Sequence, residues 1–273
     1  FITLKNVSVY IRPGLKIEKA SILISNGKII DLGKKITIPK NAIEYDLEGK
    51  TIIPAFIELY TNIGMPKGSE QNYSPRPQIE SSKKGPYYWN EAIHPEIEAQ
   101  SVYSIDSKAT ENYLKSGFGF AVSHVQDGIV RGSGTLVSLG DENSSKNTIS
   151  LKSGMFYSFS KGTSKQSYPS SQMGSIALLR QALYDLKFYS ENEKHEQSIS
   201  LEKWKTDIGL PSFFRVNEKW EILRAEKIAN EFQLKMSYIG SGNEYAALSS
   251  LKSVKGALII PLNFPEAYDV KDP

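Results

Sequence analysis

Hydrophobic and polar positions change rhythm along this chain, and each change predicts a different kind of element. Residues 2–10 (ITLKNVSVY) alternate as a half-buried strand does. Residues 19–32 read as two strands around a tight turn at Asn26-Gly27, a strong hairpin signal. A further short strand over 43–47 ends at a Gly49 turn, so residues 1–50 form a small β unit. At residue 51 the alternation stops. TIIPAFIEL is a nearly continuous apolar run, the pattern of a strand buried on both faces, with Pro54 at an end or bulge.

Residues 63–104 are rich in Gly, Pro, Ser, Lys and Tyr and predict a long irregular loop, of the kind that covers a site or moves. A helix follows over 106–116, with Asp106 as N-cap and Gly117 as stop. Strand-like runs then occur at 118–125, 134–139, 153–159, 211–216, 234–239 and 257–262, with helical patterns at 173–190, 218–232 and 243–252. The last three strands have βαβ spacing, which predicts a parallel sheet. In 218–232, Trp220, Leu223, Ile228 and Phe232 fall broadly on one face. The polar stretch 191–210 reads as an exposed insertion. The pattern supplies five or six barrel strands, whereas a (β/α) barrel needs about eight. The fold class expected is therefore α/β: a partial, TIM-like (β/α) barrel over 51–273, preceded by the small β unit.

Composition narrows this picture only a little. The 273 residues are 40% hydrophobic and 23% charged, enough for a real core. Net charge is +3, but the lysines are scattered and form no basic stripe, which argues against nucleic acid as partner. There is no cysteine, so disulfides and thiolate metal sites are excluded. No apolar run reaches the roughly 18 residues of a transmembrane segment. The first residue is Phe1, consistent with a removed signal peptide or with trimming.

The segment GKTIIPAFIELYTN (49–62) resembles the start of the amidohydrolase superfamily, whose members read roughly G-x-x-[VIL]-x-P-G-F-I-D-x-H-x-H. Gly49, Ile52, Pro54, Phe56, Ile57 and Leu59 match. Residues 117–139, 168–189 and 258–270 resemble the imidazolonepropionase-like branch found in long bacterial proteins. The resemblance implies a metal-dependent hydrolase barrel, a C–N-hydrolysing activity in the intact protein, and zinc in active relatives. It also implies that the β unit pairs with chain from beyond the barrel. The two histidines of H-x-H sit on one side of the first barrel strand and hold a cation that activates water. Here those positions are Tyr60 and Asn62, and neither is a strong zinc ligand. The two later histidines of the family fall at Arg215 and at Gly240 or Ser241. The family's proton-shuttling aspartate would lie beyond Pro273. No metal is expected in this segment, and H-x-H is degenerate.

Other candidates each carry a plain alternative. His124 lies near the end of a predicted strand, on the face where barrel sites form, or is a hydrogen-bonded structural histidine. His94 and His195 are too scattered to join it in a cluster. Gly128–Gly134 (GIVRGSG) is either a tight strand-to-strand turn or, with Arg131, an anion cradle. Arg215 recognises a carboxylate or pairs with a nearby acid. Tyr60 and Asn62 fill space where a metal once sat, or line a remnant pocket. The aromatic loop Pro86–Trp89 is a lid, a docking surface or an anchor.

These readings define a vestigial pocket of Tyr60, Asn62, His124, Arg215 and Gly240 with no catalytic residue assigned. They describe a non-catalytic, scaffold-like amidohydrolase domain whose partner is the remainder of the same polypeptide or a second amidohydrolase half. The alternatives are a metal-dependent hydrolase with an atypical site, or a ligand- or partner-binding module at the barrel end. The resemblance and the non-methionine start lean toward the periplasm or cell envelope.

Overall fold

A computed structural model describes residues 1–66, 77–140, 147–192 and 194–261. The chain divides into two compact units, Phe1–Phe56 and Ile57–Pro273. The first is a five-stranded sheet built from β1 (Ile2–Arg12), β2 (Leu15–Ser25), β3 (Lys28–Gly33), β4 (Ile43–Asp46) and β5 (Thr51–Ile52). β2 and β3 form the predicted hairpin. Asn26 and Gly27 both take positive φ, 50° and 73°, as the tight turn demands. β1 pairs antiparallel with β2 and parallel with β4 and β5, around Val7, Val9, Ala20 and Ile22.

The apolar run at 51–59 is not one strand. Thr51–Ile52 belongs to the first sheet, and after Pro54 a separate strand, β6 (Phe56–Thr61), begins. Nor is β6 buried on both faces: Phe56, Ile57 and Leu59 are exposed. The reason is position, because β6 is an edge of the second sheet and no described strand covers its outer side.

That second sheet has seven strands in the order β12-β11-β10-β9-β8-β7-β6. They are β7 (Phe118–Ser123), β8 (Val130–Ser138), β9 (Thr148–Ser158), β10 (Ser212–Arg215), β11 (Met236–Ile239) and β12 (Leu258–Ile259), beside β6. β9 to β12 run parallel, joined by helices α3 (Gln172–Glu191), α4 (Ile199–Asp207), α5 (Lys219–Glu231) and, after a 3-10 turn at Glu244–Ala247, α6 (Leu248–Leu251). Earlier in the chain lie α1 (Ala99–Val102) and α2 (Ser107–Lys115), the latter capped by Asp106 as predicted, through its Ala109 N–H.

β8 runs antiparallel to both its neighbours, β7 and β9, which corrects the reading of Gly128–Gly134 as a turn. Most of that segment is strand β8. Its glycines serve close approach instead: Gly132 has φ 79°, and a Cβ there would lie 2.0 Å from the Ile97 carbonyl oxygen. The sheet thereby holds the end of the long loop, whose Glu98 bridges to Ser133. The rest of that loop is irregular yet packed. Asn90, Ala92 and Ile93 are buried, and Asn90 Nδ2 donates to the Tyr168 carbonyl at 2.9 Å. Residues 67–76 of the loop lie outside the described residues.

One face of the parallel strands packs on helices. Met155, Tyr157, Phe214 and Tyr238 meet Leu178, Leu179, Ala182 and Leu183 of α3 and Ile222, Ala225 and Ile228 of α5. The stretch 191–210, expected to be an exposed insertion, contributes to this core. Its α4 buries Trp204, whose indole N–H donates to the Tyr157 hydroxyl at 3.1 Å. The opposite face gathers Tyr60, Val122, Leu136, Phe156, Phe213, Ile239 and Ile259. Edge strands β6 and β12 both line one cavity of about 520 Å³, so the sheet curls toward itself. It is open among the described residues. None of the described helices is long and apolar enough to cross a membrane.

Candidate functional site

Strand register builds the site. Arg215 at the end of β10 stands opposite Ser158 of β9 and Ile239 of β11. Side chains alternate along each strand, so Arg215 shares the inner face with Phe213, and Ser158 with Phe156. At the end of β6, the Thr61 carbonyl accepts from His124 N–H at 3.1 Å, which brings Tyr60 and His124 together.

Arg131 is the centre of the cluster. It enters from the start of β8, which runs against β9 and so presents its first residues at the ends of the other strands. Its guanidinium is buried and donates three hydrogen bonds: Nε to the Gly128 carbonyl at 2.9 Å, Nη1 to the Tyr60 hydroxyl at 2.8 Å, and Nη2 to Ser158 Oγ at 2.8 Å. Arg215, half-buried, lies over the Tyr60 ring with Cζ 5.7 Å from its centre. Its Nη1 donates to the Gly240 carbonyl. Glu244 holds the following turn by accepting from Ser241 N–H and Oγ and from Gly242 N–H.

His124 is fully buried. Its ring lies flat on Phe156, with centres 3.7 Å apart and planes 11° from parallel, and 4.7 Å from the ring of Tyr60. Among the described residues neither ring nitrogen has a hydrogen-bond partner. Burial, and secondarily the nearby Arg131 charge, hold its pKa well below the usual histidine value. The ring is therefore neutral at physiological pH.

Of the residues singled out in the sequence, Tyr60, His124, Arg215 and the Gly240 carbonyl meet in this cluster. Asn62 does not. β6 ends at Thr61, and Asn62 is exposed on a separate cavity with Ile63, Met65 and Tyr113. His94 is buried elsewhere, its pKa also lowered by burial, and His195 lies against Tyr189. Of the aromatic loop, Tyr88 is an anchor whose hydroxyl donates to Asp185 at 2.6 Å, while Trp89 stays exposed beside Tyr168. Arg131 and Ser158 are the members that the sequence reading did not place here. The available signal was a lone charge inside the apolar strand VRGSGTLV, where a guanidinium must find acceptors.

Zinc takes imidazole, thiolate or carboxylate donors. This cluster offers one imidazole packed flat on a phenyl ring, a phenol already engaged by a guanidinium, and two fixed cations. That donor set does not fit a divalent metal.

No known family profile matches the chain, and neither does any curated protein. Among solved structures it resembles an amidohydrolase from Thermotoga maritima MSB8, with a TM-score of 0.75 and 22% identity over 96% of this chain and 70% of that one. A prolidase complexed with N-methylphosphonate-L-proline (TM-score 0.46, 10% identity) and a further amidohydrolase (0.45, 12%) align over 96% of this chain and 66% of theirs. The chain has the fold of an amidohydrolase. Its likeness to the Thermotoga protein lies in that fold.

Proposed function

We propose that this chain is an amidohydrolase-family domain of the imidazolonepropionase-like branch that is not itself catalytic. It scaffolds or regulates an active amidohydrolase portion, supplied by the remainder of the same polypeptide or by a second half. One observation carries this reading. The place where active relatives begin their metal site holds Tyr60, and its hydroxyl is bonded to the buried guanidinium of Arg131. A fixed positive charge there repels a divalent cation in a setting of low dielectric, where the penalty is large.

The test is elemental analysis of protein purified without added metal, on this chain and on the longest polypeptide that carries it. The expected result is far less than one zinc per molecule in this chain, with zinc in the longer form. Stoichiometric zinc in this chain alone would overturn the reading in favour of a metal-dependent hydrolase with an atypical site.

A further inference from the structure

Two guanidinium groups stand against one phenol, and among the described residues no carboxylate is bonded to either. Every acceptor of Arg131 is neutral: a carbonyl, a phenol and a hydroxyl. Arg215 donates only to the carbonyls of Ile239 and Gly240, both from Nη1. Among the described residues neither has a carboxylate partner. A guanidinium carries five N–H donors, so Arg215 keeps Nε and Nη2 unused. Tyr60 accepts from Arg131, which leaves its own O–H free to donate. Gathering two buried or half-buried like charges is costly unless an anion joins them.

The geometry points to a binding site for a monocarboxylate with an aliphatic body, its carboxylate held by Arg215 and the Tyr60 hydroxyl and balanced by Arg131 behind. A guanidinium fork matches the planar carboxylate. Tyr60 and Arg215 open on the cavity of about 520 Å³, whose walls include Leu59, Ile239, Ile259 and Ile260. These walls suit a hydrocarbon body. Glu58 lines the same cavity, with Oε1 accepting from Tyr60 N–H at 2.9 Å. Its charge selects against a dianion such as phosphate. His124 is fully buried beside the phenol, and neither of its ring nitrogens has a partner among the described residues. The inference rests on the reading that fixed cations, not a metal, occupy the strand ends.

The experiment is calorimetric titration of the longest available polypeptide with hexanoate, hexanamide and inorganic phosphate, after zinc content is measured on the same sample. Saturable hexanoate binding is expected, with no response to hexanamide or phosphate and at least a roughly 10-fold weakening in Arg215→Gln. Arg131 is buried, so a substitution there also tests folding; half-buried Arg215 therefore carries the test, with Arg215→Lys expected to recover only part of the affinity. Equal binding of hexanamide, preference for phosphate, or unchanged affinity in Arg215→Gln would overturn the site. Hexanoate binding that a chelator abolishes and Arg215→Gln leaves unchanged lies at the zinc of the active portion and overturns this inference alone. Stoichiometric zinc in this chain by itself overturns the non-catalytic reading as well.

Discussion

His124 and Arg131 illustrate how burial turns ordinary side chains into constraints. A histidine held neutral in the fold but free to protonate when unfolded takes up more protons in the unfolded state at low pH. Its folded pKa is depressed, so its stabilising contribution is present above the ordinary histidine value and is lost as pH falls below it. His94 acts in the same sense, its pKa also lowered by burial. Stability should therefore decline below about pH 6.5, by up to about 1.4 kcal/mol per pH unit for each histidine. Urea midpoints measured between neutral pH and mildly acidic pH check this. His124→Phe should flatten the slope, and an unchanged slope would assign the acid sensitivity to other groups. At this same scale the sequence was most informative at Tyr60, because a spacing motif names specific positions. It was least informative at Arg131, whose role depends on a strand from elsewhere in the sequence.

Elements succeed or fail as predictions according to what covers them. The hairpin at Asn26-Gly27 and the helix capped by Asp106 were legible because their signals are local backbone requirements. Helix α5 was legible as a helix, yet its buried face is Ile222, Ala225, Ile228 and Ala229, with Trp220 and Leu223 only half-buried. Large side chains drew the sequence reading, whereas packing on the sheet favours residues that allow close approach. Helix α4 was hidden by its polar surroundings. Its fully buried large side chain is Trp204, bonded to Tyr157. Tyr157 has its pKa pushed up to about 12, chiefly by burial, so it remains a neutral hydroxyl. Trp204→Ala should destabilise the protein by about 3–5 kcal/mol, read as a shift in denaturation midpoint. A change below about 1 kcal/mol would return residues 191–210 to the status of an insertion.

At the scale of the second unit, the seven-stranded sheet has two edges that no described strand pairs with, β6 and β12, and apolar Ile57, Leu59 and Ile260 are exposed near them. Unpaired edges with apolar flanks are surfaces that further strands complete. If the remainder of the polypeptide or a second half is the partner, amides of β6 and β12 should exchange hydrogen fastest among the strands of this sheet. They should become protected when the partner is present, whereas β9 and β10, paired on both sides, should stay protected throughout. Equal exchange in the two states would rule out completion of the sheet as the mode of assembly.

The sequence by itself determined the elements with local causes, the β unit and the parallel βα units after residue 150, and it carries the resemblance that puts Tyr60 and Asn62 where that family has its H-x-H histidines. Periodicity, turn chemistry and motif spacing are all written along the chain. Tertiary structure alone decided that Tyr60 and Asn62 part company, that GIVRGSG is mostly strand, and that Arg131 meets Tyr60 from a distance of 71 residues. These outcomes depend on which strand lies beside which, and on the antiparallel turn of β8 that carries a charge to the strand ends. No period or local preference encodes that pairing, because its energy comes from contacts between segments far apart in sequence.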